Sequence, residues 1–182
     1  MRHIILFVSL FLCLGAQAQT GKAANRVAEI RRIYNETKQH IAEVSQEENA
    51  RNELTVNSHH MVPACGITEE VIHYYIDLQD TETPGEFHYQ PYFITRSYNI
   101  AARKFYEEFL YDRNTNELIF VYLSGDNYET GGRDETRYYW GNPPEGLVYE
   151  NVKGERTMDE VFASRLANDL MEAFHYLRNR EY

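Results

Sequence analysis

The stretch SHHMVPACG, Ser58 to Gly66, gathers the residue types that catalysis and metal binding use most often. It holds two adjacent histidines and the one cysteine outside the first 18 residues. A cysteine nucleophile needs a histidine or a helix N-terminus to lower its pKa, and a third group to orient the base. Cys65 lies between Pro63 and Gly66, a context that favours a turn over a helix start, and no family signature surrounds it. A metal site would draw His59, His60 and Cys65 together with His73 or His88. Successive strand positions face opposite sides, however, so at most one of the two adjacent histidines could serve, and the spacing fits no zinc pattern. The stretch reads as a connecting loop between a first helix and a sheet.

Two other groupings suggest chemistry. Ser124 to Glu135 concentrates Asp126, Asn127, Glu129, Asp134 and Glu135 among glycines, the oxygen donors that calcium takes. Against the EF-hand spacing it fails: Tyr128 and Thr130 hold the third and fifth places, and no Glu stands at the twelfth. It reads as a solvated hairpin loop. Glu107-Glu108 and Asp134-Glu135 are the paired carboxylates a glycoside hydrolase would need, but strand neighbours point apart. With no glycine-rich phosphate loop, nucleophile elbow or dinucleotide fingerprint, no catalytic residue, metal ligand or cofactor is assigned.

Tyrosine is the remaining signal. There are 15, several on opposite faces of one strand, as with Tyr138 and Tyr139. Aromatic rings suit strands and pair across them, but rings left at the surface also favour recognition. Tyr122, Tyr138, Tyr139 and Trp140 are therefore the expected ligand-binding residues. Tyr139 alternates away from Tyr138 and Trp140, so both faces of the hairpin are aromatic, and the face that the helices leave uncovered is the expected binding surface.

The elements that position these residues start after MRHIILFVSLFLCLGAQAQ. Arg2 and His3, the apolar run Ile4 to Leu14, and Ala16-Gln17-Ala18 are the three parts of a secretory signal. As a helix the run is about 16 Å long, half of what a membrane span requires. Cys13 sits inside the run behind Phe11 and Leu12, which argues against a lipoprotein. The reading is a signal peptide over 1–18 and one domain over 19–182, periplasmic or extracellular, with no membrane anchor after cleavage. The chain carries 28 acids against 18 basic residues, a formal charge of −10. Only Arg2 among them falls within the first 18 residues, so cleavage leaves the mature chain more acidic. Such a surface disfavours nucleic acid and anionic lipid as partners. Cys65 alone cannot form an internal disulfide, and nothing in the sequence fixes the oligomeric state.

Ala23, Val27, Ile30, Ile33, Tyr34, Thr37, Ile41 and Val44 recur at three- and four-residue steps, predicting an amphipathic helix from about Lys22 to Glu48. From Glu70 the period changes to two. EEVIHYYIDLQ, FHYQPYFITRSY, ARKFYEEFLYD, ELIFVYL, TRYYW and LVYENV make about six strands, with turns at TETPGE, RNTN and GNPPEG. Pro91 is tolerated at an edge or a bulge but not in a central ladder. Hairpin-length connections give an antiparallel meander. A capping box at Thr157-Met158-Asp159-Glu160 opens a last helix, with Met158, Val161, Phe162, Leu166, Leu170, Phe174 and Leu177 as its apolar stripe. The expected fold class is α+β, with both helices on one sheet face.

The order of IRRIYNETKQHI, HYYIDLQ, AARKFYEEFLYD, NELIFVYL and ETRYYWG resembles small secreted proteins of Bacteroidota-type bacteria. The resemblance spans most of the mature chain and implies export and an α+β domain, with no activity to carry over. The functional expectation is an exported, non-enzymatic binding module whose aromatic sheet face contacts a protein or a glycan. A hydrolase of envelope or extracellular polymers is the alternative, and a structural envelope component the third. Intact-mass measurement of exported protein is expected to give a chain beginning at Gln19. Retention of Met1 to Ala18 would contradict the leader reading.

Overall fold

The computed structural model describes residues 2–45, 52–80, 87–155 and 158–178, with side chains described from residue 21 onward, Asp80 excepted. Helix α1 (Arg2–Val44) is followed by strands β1 (Glu53–Val62), β2 (Gly66–Asp80), β3 (Phe87–Ile100), β4 (Arg103–Tyr111), β5 (Leu118–Asp126), β6 (Arg133–Trp140) and β7 (Leu147–Lys153). Helix α2 (Glu160–Arg178) closes the described chain. The strands form one sheet in the order β1-β2-β3-β4-β5-β6-β7, every neighbouring pair antiparallel. The antiparallel meander is as expected, with seven strands in place of the expected six or so.

The added strand is β1. Its residues ELTVNSHHMV are half-buried on one face, through Leu54, Val56 and Ser58, and solvated on the other. An edge strand with one shallow apolar row gives a weak period-2 signal, so SHHMVPACG reads as loop from sequence. It is instead the end of β1 and the turn into β2. Ala64 (φ 64°) and Gly66 (φ 92°) make that turn, and the Cys65 amide donates to the Val62 carbonyl.

Local chemistry closes the other hairpins. Between β4 and β5, Asp112 Oδ1 accepts from the amides of Asn114 and Thr115, and Asn116 takes a left-handed φ of 59°. Pro91 sits where the β2–β3 register slips: Tyr75 pairs with Phe93 and Ile76 with Pro91, so Tyr92 is the extra residue of a bulge. The β3–β4 ladder runs only as far as Phe93↔Leu110, so Pro91 leaves no ladder bond to β4 unmade. The expected turn TETPGE lies outside the described residues.

Both faces of the sheet carry a core. On one, α1 inserts Val27 and Ile30 against Phe93, Leu110, Phe120 and Tyr139. On the other, α2 sets Ala163, Ala167, Leu170 and Phe174 against Ile94, Phe109, Val121 and Tyr138. The register shows why these are opposite faces. Phe93, Leu110, Phe120 and Tyr139 are successive cross-strand partners, and so are Ile94, Phe109, Val121 and Tyr138, each one position along its strand and therefore on the other side. The expectation that both helices share one face is therefore corrected. A sheet apolar on both sides needs a cover on each, and the two helices provide one apiece.

The stripe of α1 is as read, with Val27, Ile30 and Thr37 buried and Ala23, Ile33, Tyr34, Ile41 and Val44 partly so. The helix itself continues back to Arg2, since residues 2–22 contain no proline and only Gly15 and Gly21 weaken it. Among the described residues no helix is long and apolar enough to cross a membrane.

The stripe of α2 is rotated from the expected one. Val161, Phe162 and Leu177 are exposed, whereas Ala163 and Ala167 are fully buried. Small residues let the helix approach the sheet closely, and a search for large apolar residues passes over them. Contact is close enough for the Tyr111 hydroxyl to donate to the Ala167 carbonyl at 2.8 Å. The helix is capped by Asp159, whose Oδ1 accepts from the Phe162 amide at 2.8 Å. Thr157, the expected cap, lies outside the described residues.

This packing predicts an inverted sensitivity in α2. Ala167→Leu is expected to overpack the interface and cost about 1–3 kcal/mol, whereas Phe162→Ala should cost less than about 1 kcal/mol. Urea midpoints of the two variants check it, and the reverse ranking would restore the larger-residue stripe.

Candidate binding site

Of the four aromatic residues expected to bind a ligand, alternation separates Tyr139 from Tyr138 and Trp140, and neither set lies on an open face. Tyr138 and Trp140 face the α2 core and Tyr139 faces the α1 core, all three buried; Tyr122 lies half-buried on the α1 side. The Tyr138 hydroxyl donates to the Met158 carbonyl at 2.6 Å, so its polar tip is used within the fold. The uncovered aromatic face is thus replaced by two covered ones. Strand alternation sends Tyr138 and Tyr139 apart, and each meets a helix.

Covering is incomplete at one place. Between α1 and strands β5 and β6 lies a pocket of about 420 Å³, within the ordinary range for small-ligand sites. Ile30 and Phe120 contribute its apolar surface, and Tyr34, Tyr122 and Tyr139 contribute rings. Arg31, Asn35 and Arg137 add polar groups. Phe120 pairs with Tyr139 across the ladder, their ring centroids 5.0 Å apart, and Tyr34 sits edge-on to Phe120 at 5.1 Å. Arg137 lies over Tyr122, its guanidinium carbon 4.7 Å from the ring centroid, and Arg31 lies 5.6 Å from that of Tyr139. Tyr122 and Tyr139, two of the four expected residues, meet here.

Beneath this wall lies Glu108, whose side chain is 3% exposed. Its carboxylate accepts from the Tyr34 hydroxyl at 2.7 Å, the Tyr106 hydroxyl at 2.8 Å and Lys38 Nζ at 2.8 Å. Burial and the nearby carboxylate push both tyrosine hydroxyls well above the usual phenol range, so each remains a donor. Tyr34 is thereby fixed as part of the pocket wall.

On the opposite face Glu107 has a parallel arrangement. It accepts from the Tyr98 hydroxyl at 3.0 Å and from Arg96 at 3.1 Å, while Arg96 also donates to Glu70 at 2.5 Å. Burial pushes the Glu107 carboxyl up from its ordinary value, with Arg96 and Tyr98 pulling back. The two neighbouring carboxylates project through opposite faces of β4, so they form no acid–base couple.

The other chemistry-bearing groups remain dispersed. His59 and His60 occupy successive positions of β1, opposite Glu69 and Thr68, and His59 Nδ1 is 3.9 Å from Glu69 with both side chains exposed. Cys65 is a half-buried free thiol in the turn. In the acidic hairpin between β5 and β6, Asn127 accepts from the amides of Glu129 and Thr130 and donates to Asp134. Asp126 accepts from the Lys104 amide and pairs with Arg133. These oxygens hold the loop's own backbone. Among the described residues, no group of three or more His, Cys, Asp or Glu is placed to hold a metal ion.

Arg31, Tyr34, Asn35 and Arg137 were not singled out from sequence as binding residues. The first three fall at i, i+3 and i+4 of α1, so they share a helix face, but which sheet face meets them depends on how the helix docks. No protein family, curated protein or solved structure matches the chain.

The buried Glu107 gives a signed pH prediction. A carboxyl raised in the folded state binds its proton more tightly there than in the unfolded chain. Its contribution is fully present below the unfolded value, about 4.3, and is lost as pH rises through the folded value. The unfolding free energy of the wild type minus that of Glu107→Gln is expected to decrease as pH rises from about 4 to 7. Urea titrations across that range test it, and a difference that stays flat or increases would contradict it.

Proposed function

We propose that this chain is an exported, non-enzymatic binding module that seats a single ring-bearing unit, such as one or two sugars of a glycan, in the pocket between α1 and β5–β6. The observation that carries the reading is the convergence there of Tyr34, Tyr122 and Tyr139 with Arg31, Asn35 and Arg137 around open space. Sugar rings and other flat units with polar edges pack on aromatic faces while polar groups at the rim fix their orientation. A pocket of about 420 Å³ suits such a unit better than the broad surface of a folded protein. The leader-like segment and the resemblance to small secreted proteins of Bacteroidota-type bacteria support export, where polymeric glycans are available.

Tyr122 is the residue to test, because it lines the pocket without lying in the fully buried core. On a glycan array, Tyr122→Ala is expected to lose binding by about tenfold or more, the effect of removing one aromatic anchor. Tyr176→Ala, at an exposed position of α2 on the other side of the sheet, is expected to retain it. Equal effects of the two substitutions, with both variants folded, would remove the pocket from the account. Absence of glycan binding by the parent would remove the function.

A further inference from the structure

The pocket's polar groups are mostly donors, and most of them are unused. Arg31 donates through Nε to the Tyr139 hydroxyl at 3.5 Å, and Arg137 donates through Nη2 to Glu135 at 2.7 Å. Among the described residues, both terminal nitrogens of Arg31, Nε and Nη1 of Arg137, the Asn35 amide and the Tyr122 hydroxyl have no hydrogen-bond partner in the protein. The local charge also departs from that of the chain. Two acids bond directly to the lining: Glu108 to Tyr34 and Glu135 to Arg137. Each is also paired with a lysine, Lys38 on Glu108 and Lys153 on Glu135. Four cations therefore stand against two carboxylates, in a chain whose formal charge is −10.

Unused forked donors beside an apolar floor call for a ligand that supplies acceptor oxygens and a charge. A guanidinium meets a carboxylate through two parallel hydrogen bonds, and its plane, held over a tyrosine ring, is ordered before the ligand arrives. Partial enclosure by Ile30 and Phe120 weakens solvent screening of that contact. We propose that the pocket selects a carboxylated sugar: a ring unit that packs on the tyrosines and bears an acid group held by Arg31 and Arg137. This deepens the binding-module reading and rests on it. A neutral sugar could offer the guanidinium forks only uncharged hydroxyl acceptors, without the paired oxygens and charge of a carboxylate, and a bare inorganic anion would leave the aromatic wall unfilled.

Calorimetric titration of the mature chain with trigalacturonate and with 3′-sialyllactose, each beside its methyl ester, and with neutral galactotriose, tests the inference. At least one free acid is expected to bind about tenfold or more tightly than its own ester and than galactotriose. That advantage should shrink to about threefold or less in Arg31→Gln and in Arg137→Gln, and should weaken as salt rises. Melting temperatures close to the parent's would show that the arginine variants remain folded. Arg31 is exposed, so its substitution keeps the test available if Arg137→Gln perturbs the sheet. Equal affinity for acid and ester, or preference for galactotriose, would overturn the carboxylate inference and leave the binding module standing. Absence of binding to all five compounds would overturn both.

Discussion

A strand that is apolar on both sides can rest against water on neither, and this constraint organises the molecule. Across the centre of the sheet, Phe93, Leu110, Phe120 and Tyr139 form one row, and Ile94, Phe109, Val121 and Tyr138 form the row behind it. Burying each such side chain is worth about 1.5–3 kcal/mol, so exposing either row would consume most of a small domain's stability. The hairpins of the meander assemble the sheet from local contacts, but they supply no cover. Covers come from the two ends of the chain, α1 on one face and α2 on the other. The result is a three-layer arrangement built from a simple up-and-down strand order.

The same constraint makes the buried carboxylates informative. Glu107 and Glu108 stand at adjacent positions of β4, so one enters each core. Each is held by tyrosine hydroxyls and a cation, Tyr98 with Arg96 on one side, Tyr34 and Tyr106 with Lys38 on the other. A buried charge without these partners would cost several kcal/mol, so slipping β4 by one position would be heavily penalised. Glu108 also ties α1 to the sheet through Tyr34 and Lys38, and Arg26 adds a bond to the Trp140 carbonyl. The helix that covers one core is therefore held at a defined position, and the pocket beside Tyr34 follows from that docking.

Much of this was legible from residue patterns, for identifiable reasons. The stripe of α1 is large and regular, and the strands from β2 to β7 alternate clearly, so their existence and antiparallel order follow from period and turn chemistry. β1 was missed because Ser58, His59 and His60 dilute its pattern at an edge where only one face is half-buried. The face of α2 was misjudged because Ala163 and Ala167 contribute closeness of approach in place of bulk. Paired aromatics such as Tyr138 and Tyr139 already call for a cover on each side of the sheet, which the expectation of both helices on one face does not meet. The pocket was half legible: tyrosine content pointed to Tyr122 and Tyr139, but Arg31 and Asn35 join them only once α1 is known to lie on that face.

Native-state tyrosine nitration mapped by mass spectrometry tests the two-sided core most directly, because it asks which rings meet solvent. Tyr128, Tyr149 and Tyr176, exposed by 63%, 41% and 58%, are expected to be modified, while Tyr74, Tyr111, Tyr138 and Tyr139 stay protected until the chain is unfolded. Rapid modification of Tyr138 or Tyr139 in the folded protein would mean that one face of the sheet is open, and would contradict the account.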